Sequence, residues 1–202
     1  MSIRLFFCFI STFIIFPQEQ LLLPINIKNR KDISEIHLTA IGSFGIVRKE
    51  RKTVPSHLHT GIDIKRPTAN YDNEPIFPLA KGVVISKRTD GPYAQLIIEH
   101  ELNNKKFWTI YEHIAGIKVN VNDIIKSDQA IARFMNKAEL NHFGWQFDHF
   151  HLEILKVKPM KLIPDRSHPD RFYNSYSLIC FKKEDLDKYY YDPLDFMSRN
   201  LK

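Results

Sequence analysis

The sequence predicts a mainly β fold built on an antiparallel sheet, and three observations lead to this prediction. Beyond Ile36 the apolar residues stand in short runs separated by turn residues, as is typical of strands. These runs are rich in β-branched and aromatic residues, which favour a pleated, half-buried surface. No long segment shows the 3.6-residue apolar period of an amphipathic helix. The 202 residues are enough for one domain with its own hydrophobic core.

Three strands are predicted in the middle of the chain. The first covers Val83–Ser86, and the turn residues Thr89–Pro92 separate it from a second strand at Ala94–His100. The pair Asn103–Asn104 favours a tight hairpin, because asparagine tolerates the left-handed backbone that such turns need. The third strand, Phe107–Tyr111, follows this turn directly.

The later part of the chain is predicted to be more varied. Lys118–Asp123 and Gln146–Leu155 alternate between apolar and polar residues, which favours strands. Residues 156–190, hereafter the arm, are rich in Lys, Asp, Pro and Tyr, and they predict a loop-rich insertion on the surface. Within the arm, Pro164–Pro169 predicts a loop and Lys182–Tyr190 a short helix.

The N-terminus predicts export. Arg4 precedes a nearly continuous apolar run at residues 5–16, which is shorter than the roughly twenty residues of a membrane-spanning helix. This pattern is typical of a signal peptide, assigned to residues 1–17, and it predicts a periplasmic, cell-envelope or extracellular protein. Phe16–Gln18 lacks a small-x-small cleavage pattern, so an uncleaved membrane tether through residues 5–16 is the alternative. Residues 18–35 are predicted to be a tether leading into the domain.

Charge and cysteine content narrow the partners and the compartment. The net charge of +6 favours contact with polyanions, either nucleic acid or an anionic envelope polymer. No nucleic-acid-binding motif accompanies the charge, so we expect no nucleic acid partner. Cys8 lies in the export signal, which leaves Cys180 alone in the mature chain and excludes an intramolecular disulfide. We expect a monomer.

Two short clusters of potential metal ligands are the most informative feature of the chain. His59 and Asp63 stand four residues apart, and His149 and His151 stand two apart. Side chains alternate along a strand, so the members of each cluster point the same way. If the two strands meet, two imidazoles and one carboxylate converge, which is typical of a catalytic zinc site with an open position.

Further short segments stand in a recognisable order around these clusters: Phe44–Gly45, His59-x-Gly61-x-Asp63, Ala80–Val84, Tyr111–His113, His149–Ile154 and Asp192–Leu194. Together they resemble peptidase family M23, the zinc metallopeptidases of the lysostaphin and LytM type. The resemblance extends over roughly residues 41–197. It implies a β-sheet peptidase domain with a groove, assigned to residues 36–197 with the arm inserted, and a tail at residues 198–202. It also implies cleavage of peptide cross-links or stem peptides in bacterial peptidoglycan.

The resemblance assigns roles to five residues. It implies that His59, Asp63 and His151 bind one Zn²⁺ per chain, and that His113 and His149 flank the water that the metal activates. No HExxH helix is present to supply a catalytic glutamate, so a neutral imidazole is expected to take the proton from this water. The other imidazole would hydrogen-bond the developing oxyanion. The sequence leaves the division of these roles open, and we favour His149 as the base.

Several residues depart from the family pattern. Phe147–Asp148 replaces the small residues before the second histidine cluster, and Asn136–Phe143 replaces a glycine-rich turn. Together with the arm, these changes predict a narrowed or capped groove.

Two other functions fit parts of the same pattern. A catalytically inactive relative that binds the wall or activates a hydrolase is the main alternative, although such proteins typically lose ligand positions. His57 also forms a cupin-like pattern with His59, but the chain lacks the second cupin motif. We expect His57 to lie outside the metal shell, Tyr111 to pack in the core, and Glu153 either to orient a histidine N–H or to be solvated. The remaining histidines are expected to be structural or exposed: His37, His100, His142 and His168.

Overall fold

A computed structural model describes residues 21–52 and 54–201, and an antiparallel sheet forms its centre. The predicted signal at residues 1–17 and the start of the predicted tether lie outside the described residues. Within the described part of the chain, no helix is long and apolar enough to cross a membrane.

The strands, in chain order, are β1 (Val47–Arg48), β2 (His57–Leu58), β3 (Ile62–Lys65), β4 (Pro75–Ile76), β5 (Gly82–Arg88), β6 (Gln95–Leu102), β7 (Lys105–Glu112), β8 (Ile124–Ile125), β9 (Ala132–Arg133), β10 (His149–Leu155), β11 (Met160–Lys161), β12 (Tyr173–Asn174) and β13 (Tyr190–Tyr191). The α-helices are α1 (Lys137–Phe143), α2 (Lys183–Tyr189) and α3 (Pro193–Asn200).

Among the described residues, seven strands form the main sheet in the order β13-β10-β7-β6-β5-β8, with β3 also paired to β10. Every pairing in this sheet is antiparallel, which confirms the predicted fold class. β7 pairs along one edge of β10, while β3 and β13 share the other edge. The strand with the His149-x-His151 motif therefore lies inside the sheet, in contact with the strand that carries Asp63.

The predicted strands in the middle of the chain are confirmed as β5, β6 and β7. The turn between β6 and β7 places Asn103 and Asn104 at φ values of 51° and 60°, which is the backbone of a two-residue hairpin turn. The predicted strand at Lys118–Asp123 is wrong. This stretch is a loop that closes with a turn in which Asn120 and Asp123 hydrogen-bond, and pairing begins only at β8.

One face of the sheet covers the larger hydrophobic core. Inward side chains of β3, β6, β7 and β10 pack there, among them Ile64, Leu96 and Leu152, which are fully buried. Leu21 and Leu23 belong to the same core, and Leu22 N–H donates to Leu79 O at 2.7 Å. The described part of the predicted tether is therefore part of the domain.

The opposite face of the sheet is divided between the two ligand clusters and the arm. Ile97, Trp108 and Leu155 project from this face and pack under Cys180 and Tyr190 of the arm. The predicted helix within the arm is confirmed as α2. Backbone hydrogen bonds fix the arm to the domain, because Leu58 N–H donates to Cys180 O at 2.8 Å. The arm is thus anchored against the sheet rather than carried as a surface appendage.

Two helices were not predicted. In α1 the side chain of Asn136 accepts from Glu139 N–H while the Glu139 carboxylate accepts from Asn136 N–H, a capping box. α3 begins at Pro193 with Asp192 as its N-cap. Residues 198–200, which belong to the predicted tail, form its last residues. Leu201 packs against the larger core.

Candidate metal centre

The register of the sheet brings the two ligand clusters together. Asp63 on β3 lies opposite His151 on β10, and His59 follows the end of β2. Asp63 and His151 point away from the larger core, whereas their neighbours Ile62 and Leu152 point into it. Alternation along β3 and β10 therefore places the Asp63 carboxylate and the His151 imidazole on one face. The prediction that His59 and Asp63 lie on one strand is wrong, because residues 59–61 lie between β2 and β3.

Three atoms of this cluster converge. His59 Nε2 lies 2.9 Å from His151 Nδ1 and 3.2 Å from Asp63 Oδ1, and His151 Nδ1 lies 3.0 Å from the same oxygen. Hereafter His59, Asp63 and His151 are called the triad. All three side chains are buried, and together they can hold a metal ion.

Hydrogen bonds outside the triad fix the tautomers of both triad imidazoles. His59 Nδ1 lies 2.8 Å from Ser43 O, and a carbonyl oxygen only accepts, so Nδ1 carries the proton and Nε2 presents a lone pair. His151 Nε2 lies 3.1 Å from Glu153 Oε1, which is buried. Burial alone would raise the pKa of Glu153, but hydrogen bonds from His151, Ser175 and Thr60 hold it below its ordinary value. The carboxylate therefore accepts from Nε2–H.

Asp63 is held on both of its oxygens. Burial alone would raise its pKa, but hydrogen bonds with His151 and His59 hold this pKa far below the ordinary value. The guanidinium of Arg48 lies 2.5 Å from Asp63 Oδ2, which leaves Oδ1 directed at the two imidazoles. Asp63 is thus an ionised carboxylate that offers one oxygen to the centre.

The triad fits a zinc ion. Two imidazole lone pairs and a carboxylate oxygen point at one another, so a cation, either a proton or a metal, is needed between them. Burial alone would lower the pKa of His151, but hydrogen bonds with Asp63 and Glu153 raise it to about 10, as expected for a site that attracts positive charge. Ligand atoms about 2.0–2.1 Å from a tetrahedral zinc stand about 3.3 Å apart, close to the observed separations.

His113 and His149 lie beside the triad. Their ring centroids are 5.2 Å apart, and His149 Nε2 lies 3.7 Å from Asp63 Oδ1. Burial lowers the pKa of both imidazoles, that of His149 to about 4. Phe147 and Tyr93 flank His113 with ring centroids at 5.0 and 5.9 Å. Two neutral imidazoles therefore face the centre from an aromatic wall.

The backbone of His113 is unusual. Its φ of 62° places a non-glycine residue in the left-handed region, immediately after β7 ends. Its Nδ1 lies 2.6 Å from Pro92 O, so Nδ1 carries the proton and Nε2 presents a lone pair. No comparable bond to His149 is present among the described residues.

Gly61 permits the close approach of β3 to β10. A Cβ atom at this position would lie 2.2 Å from Leu152 O and 2.8 Å from His151 Cε1. Any side chain at residue 61 would therefore push apart the strands that carry the triad.

Other predicted residues lie outside the cluster. His57 Nδ1 donates to Pro55 O at 2.8 Å, and His57 is absent from the described group of converging ligands. Tyr111 is fully buried in the larger core, and its hydroxyl accepts from Leu79 N–H. His100 is buried in the same core, whereas His142 is exposed.

Asp148, one of the residues that depart from the family pattern, forms specific contacts in the structure. Arg66 forms an ion pair with Asp148 at 2.9 Å and also donates to Met135 O, so it ties the turn before β10 to the loop before α1. The Tyr71 hydroxyl donates to the second Asp148 oxygen at 3.2 Å. Asp148 therefore fixes the turn that presents Phe147 to His113.

Sequence reasoning missed several groups that hold the site, among them Arg48, the Ser43 and Pro92 carbonyls, and Ser175. Backbone carbonyls carry no residue-type signal, and Ser175 lies 22 residues beyond its partner Glu153. Arg48 stands in a charged stretch that reads as a solvated surface.

Comparisons with known proteins were made against families, sequences and structures. The sequence model of peptidase family M23 matches residues 57–162. A zinc containing peptidase from Vibrio cholerae is 26% identical with a TM-score of 0.46, covering 67% of this chain and 37% of that chain. Lysostaphin from Staphylococcus simulans is 16% identical with a TM-score of 0.50, covering 83% of this chain and 52% of that chain. The match to lysostaphin supports the fold, and no curated protein matches the sequence.

Proposed function

Because the chain belongs to peptidase family M23, we propose that it is a zinc-dependent endopeptidase that hydrolyses peptide bonds in bacterial peptidoglycan. The observation that carries the proposal is the convergence of two imidazole lone pairs and one carboxylate oxygen beside two neutral histidines. The triad would hold one zinc ion. When bound, zinc supplies Lewis-acid chemistry, which polarises a carbonyl and makes a water easier to deprotonate.

We assign proton transfer to His113. Its Nδ1–H is committed to Pro92 O, so Nε2 is the nitrogen that accepts a proton from the attacking water. The lowered pKa keeps this nitrogen unprotonated at neutral pH. The hydrogen bond to Pro92 O also stabilises the imidazolium that forms, since the carbonyl dipole faces the charged ring.

His149 then stabilises the oxyanion. It is neutral at pH 7 and has no described hydrogen bond that fixes its tautomer, so it is free to donate to the oxygen on which charge develops. This division of roles reverses the one that the sequence favoured, because the carbonyl of Pro92 constrains only His113.

The partners and the compartment follow from the substrate. Peptidoglycan lies outside the cytoplasmic membrane, which agrees with an export signal or anchor at residues 1–17. The net charge of +6 suits an anionic, carboxylate-rich wall polymer.

The test combines metal content with digestion of purified peptidoglycan by the full chain. We expect about one zinc per chain and release of new amino groups, which defines hydrolysis of peptide bonds. His149→Ala and His113→Ala should keep the zinc and lose about 10²–10⁴-fold in rate. A wild-type protein that holds zinc yet releases no amino groups from any wall type would overturn the enzyme and favour a wall-binding relative.

Glutamine variants separate the two histidines. A glutamine amide can donate a hydrogen bond but cannot act as a base at neutral pH. We therefore expect His149→Gln to retain more activity than His149→Ala, and His113→Gln to be as inactive as His113→Ala. The opposite order would return the role of base to His149.

A further inference from the structure

Glu153 lies behind the triad, on the side of His151 away from the metal position. Its side chain is 2% exposed and bonds three groups. Oε1 accepts from His151 Nε2–H at 3.1 Å and from the Thr60 hydroxyl at 2.5 Å, while Oε2 accepts from the Ser175 hydroxyl at 2.6 Å. The single described hydrogen bond to Oε2 therefore comes from the arm.

The hydrogen bonds that lead through Ser175 all donate toward Glu153. Tyr176 N–H donates to the Tyr190 hydroxyl oxygen at 2.8 Å. The Ser175 hydroxyl gives its proton to Glu153, so the 2.7 Å contact between Ser175 and Tyr190 must be a bond that Tyr190 donates. Ser177 N–H also donates to Ser175 Oγ at 3.0 Å. A chain of donors thus runs from the backbone of the arm through two hydroxyls to the carboxylate that binds His151.

Burial ties this relay, made of Tyr190, Ser175 and Glu153, to the centre rather than to the surface. All three of its residues are buried, so water does not replace a missing bond. Ser175 and Tyr190 also lie beyond the segment that matches the family, which ends at residue 162. The two hydroxyls that support Glu153 therefore come from outside the part of the chain that the family model matches.

We propose that the arm positions the metal centre: the hydroxyls of Ser175 and Tyr190 orient Glu153, and Glu153 holds His151 in the tautomer and ring orientation that bind the metal. Ser175 and Tyr190 are positioning residues, because they act through Glu153 and His151. The inference rests on the proposed function in one respect, namely that the triad binds zinc. It assigns the arm a role beneath the centre, in place of the cap over a groove that the sequence predicted.

The positioning role has a physical reason: a buried carboxylate that loses one of its hydrogen-bond donors can rotate. Without the Ser175 hydroxyl, Glu153 Oε2 has no remaining described donor, and the carboxylate would turn to find one. Such a turn moves Oε1 away from His151 Nε2–H, which loosens the ring and weakens its lone pair as a ligand. Partners of metal-ligating histidines typically contribute about 10–100-fold to metal affinity.

The experiment measures zinc affinity at a single neutral pH by competition with a chromophoric chelator, together with the visible absorption of the cobalt(II) form. The full chain is used as wild type, Ser175→Ala, Tyr190→Phe and the double variant. We expect Ser175→Ala to lower zinc affinity about tenfold and to change the cobalt spectrum. Tyr190→Phe should have a smaller effect in the same direction, and the double variant should match Ser175→Ala, because Tyr190 acts through Ser175.

Tyr176→Phe is the matched control. It also removes one tyrosine hydroxyl of the arm, whose bond is to Lys158 O at 3.0 Å, outside the relay. We expect its zinc affinity and cobalt spectrum to equal those of wild type. Thermal unfolding of each variant separates metal binding from folding, and Tyr190→Phe decides the matter if Ser175→Ala does not fold.

The outcomes distinguish the two proposals. Equal zinc affinity and equal cobalt spectra in wild type, Ser175→Ala and Tyr190→Phe would overturn the positioning role while the zinc peptidase stands, even if the variants melt at lower temperature. A wild-type chain that binds no zinc would overturn the proposed function, and the positioning role with it.

Discussion

The two faces of β10 differ in what their side chains contact. On one face Phe150, Leu152 and Ile154 are fully buried among aliphatic and aromatic neighbours. On the other face His151 and Glu153 are also buried, yet each of their polar atoms has a partner. The side chains on both faces are buried, so burial alone does not distinguish a hydrophobic core from a functional site. The difference is that one face is stabilised by transfer from water and the other by hydrogen bonds that a single substitution can leave unpaired.

The largest effect is expected on the polar face. Asp63→Asn keeps the shape of the side chain but removes the charge that both imidazoles face, so zinc binding should fall by several orders of magnitude. Zinc content after dialysis, measured by elemental analysis, checks this. Asp148→Asn is the matched control, because Asp148 pairs with Arg66 outside the triad and its loss should leave the zinc in place.

The next largest effect is expected on the apolar face of β10. Leu152→Ala, one residue from His151, removes a fully buried side chain and should lower the free energy of unfolding by about 2–5 kcal/mol. The zinc stoichiometry of the folded protein should stay the same. Urea unfolding and elemental analysis measure the two quantities. A loss of zinc without a loss of stability would show that the two faces are not separable.

A third prediction concerns His100 on β6, which is buried in the larger core. Burial lowers the pKa of His100 to about 4, below its ordinary value of 6.5. Between these two pH values the unfolded chain binds a proton at His100 that the folded chain does not bind. The free energy of unfolding therefore falls as the pH falls. Between pH 6.5 and 5 we expect a loss of about 2 kcal/mol from this group.

The variant His100→Gln should remove that part of the pH dependence. Urea unfolding at both pH values, compared with wild type, isolates the contribution of His100. His142→Gln serves as control for the replacement of a histidine, because this imidazole is exposed. A pH dependence of His100→Gln equal to that of wild type would contradict the assignment.

The smallest effect is expected at His57. Its imidazole is buried, and its one hydrogen bond within the described part of the chain is from Nδ1–H to Pro55 O. We expect His57→Ala to change zinc affinity by less than about twofold, within the range of residues that do not support a ligand. Chelator competition measures this value. A tenfold loss would bring His57 into the ligand set.

Local patterns were sufficient to predict three neighbouring strands of the sheet. Short β-branched runs predicted β5, β6 and β7, and Asn103–Asn104 predicted the hairpin between the last two. The same alternation predicted that His149 and His151, now seen on β10, share a face. These predictions succeed because strand periodicity and turn preference act over a few residues.

Other features needed long-range contacts or were not read from the local signal. Asn136 and Glu139 form the capping box at the start of α1, and their spacing is a local signal for this helix that the comparison with a glycine-rich turn does not use. The left-handed backbone of His113 has no signature in its residue type. The bond between Ser175 and Glu153 joins two segments that no local pattern relates. The roles of the five predicted site residues remain predictions.

The burial of Leu21 and Leu23 has a consequence for where the protein works. Only residues 17–20 separate the predicted anchor at residues 5–16 from Leu21, the first described residue of the larger core. A fully extended chain of four residues reaches at most about 14 Å. If the anchor stays in the bilayer, the domain is held close to the membrane surface, and under the proposed function it reaches only the part of the wall nearest the membrane. Removal of the anchor would free it to diffuse through the whole wall.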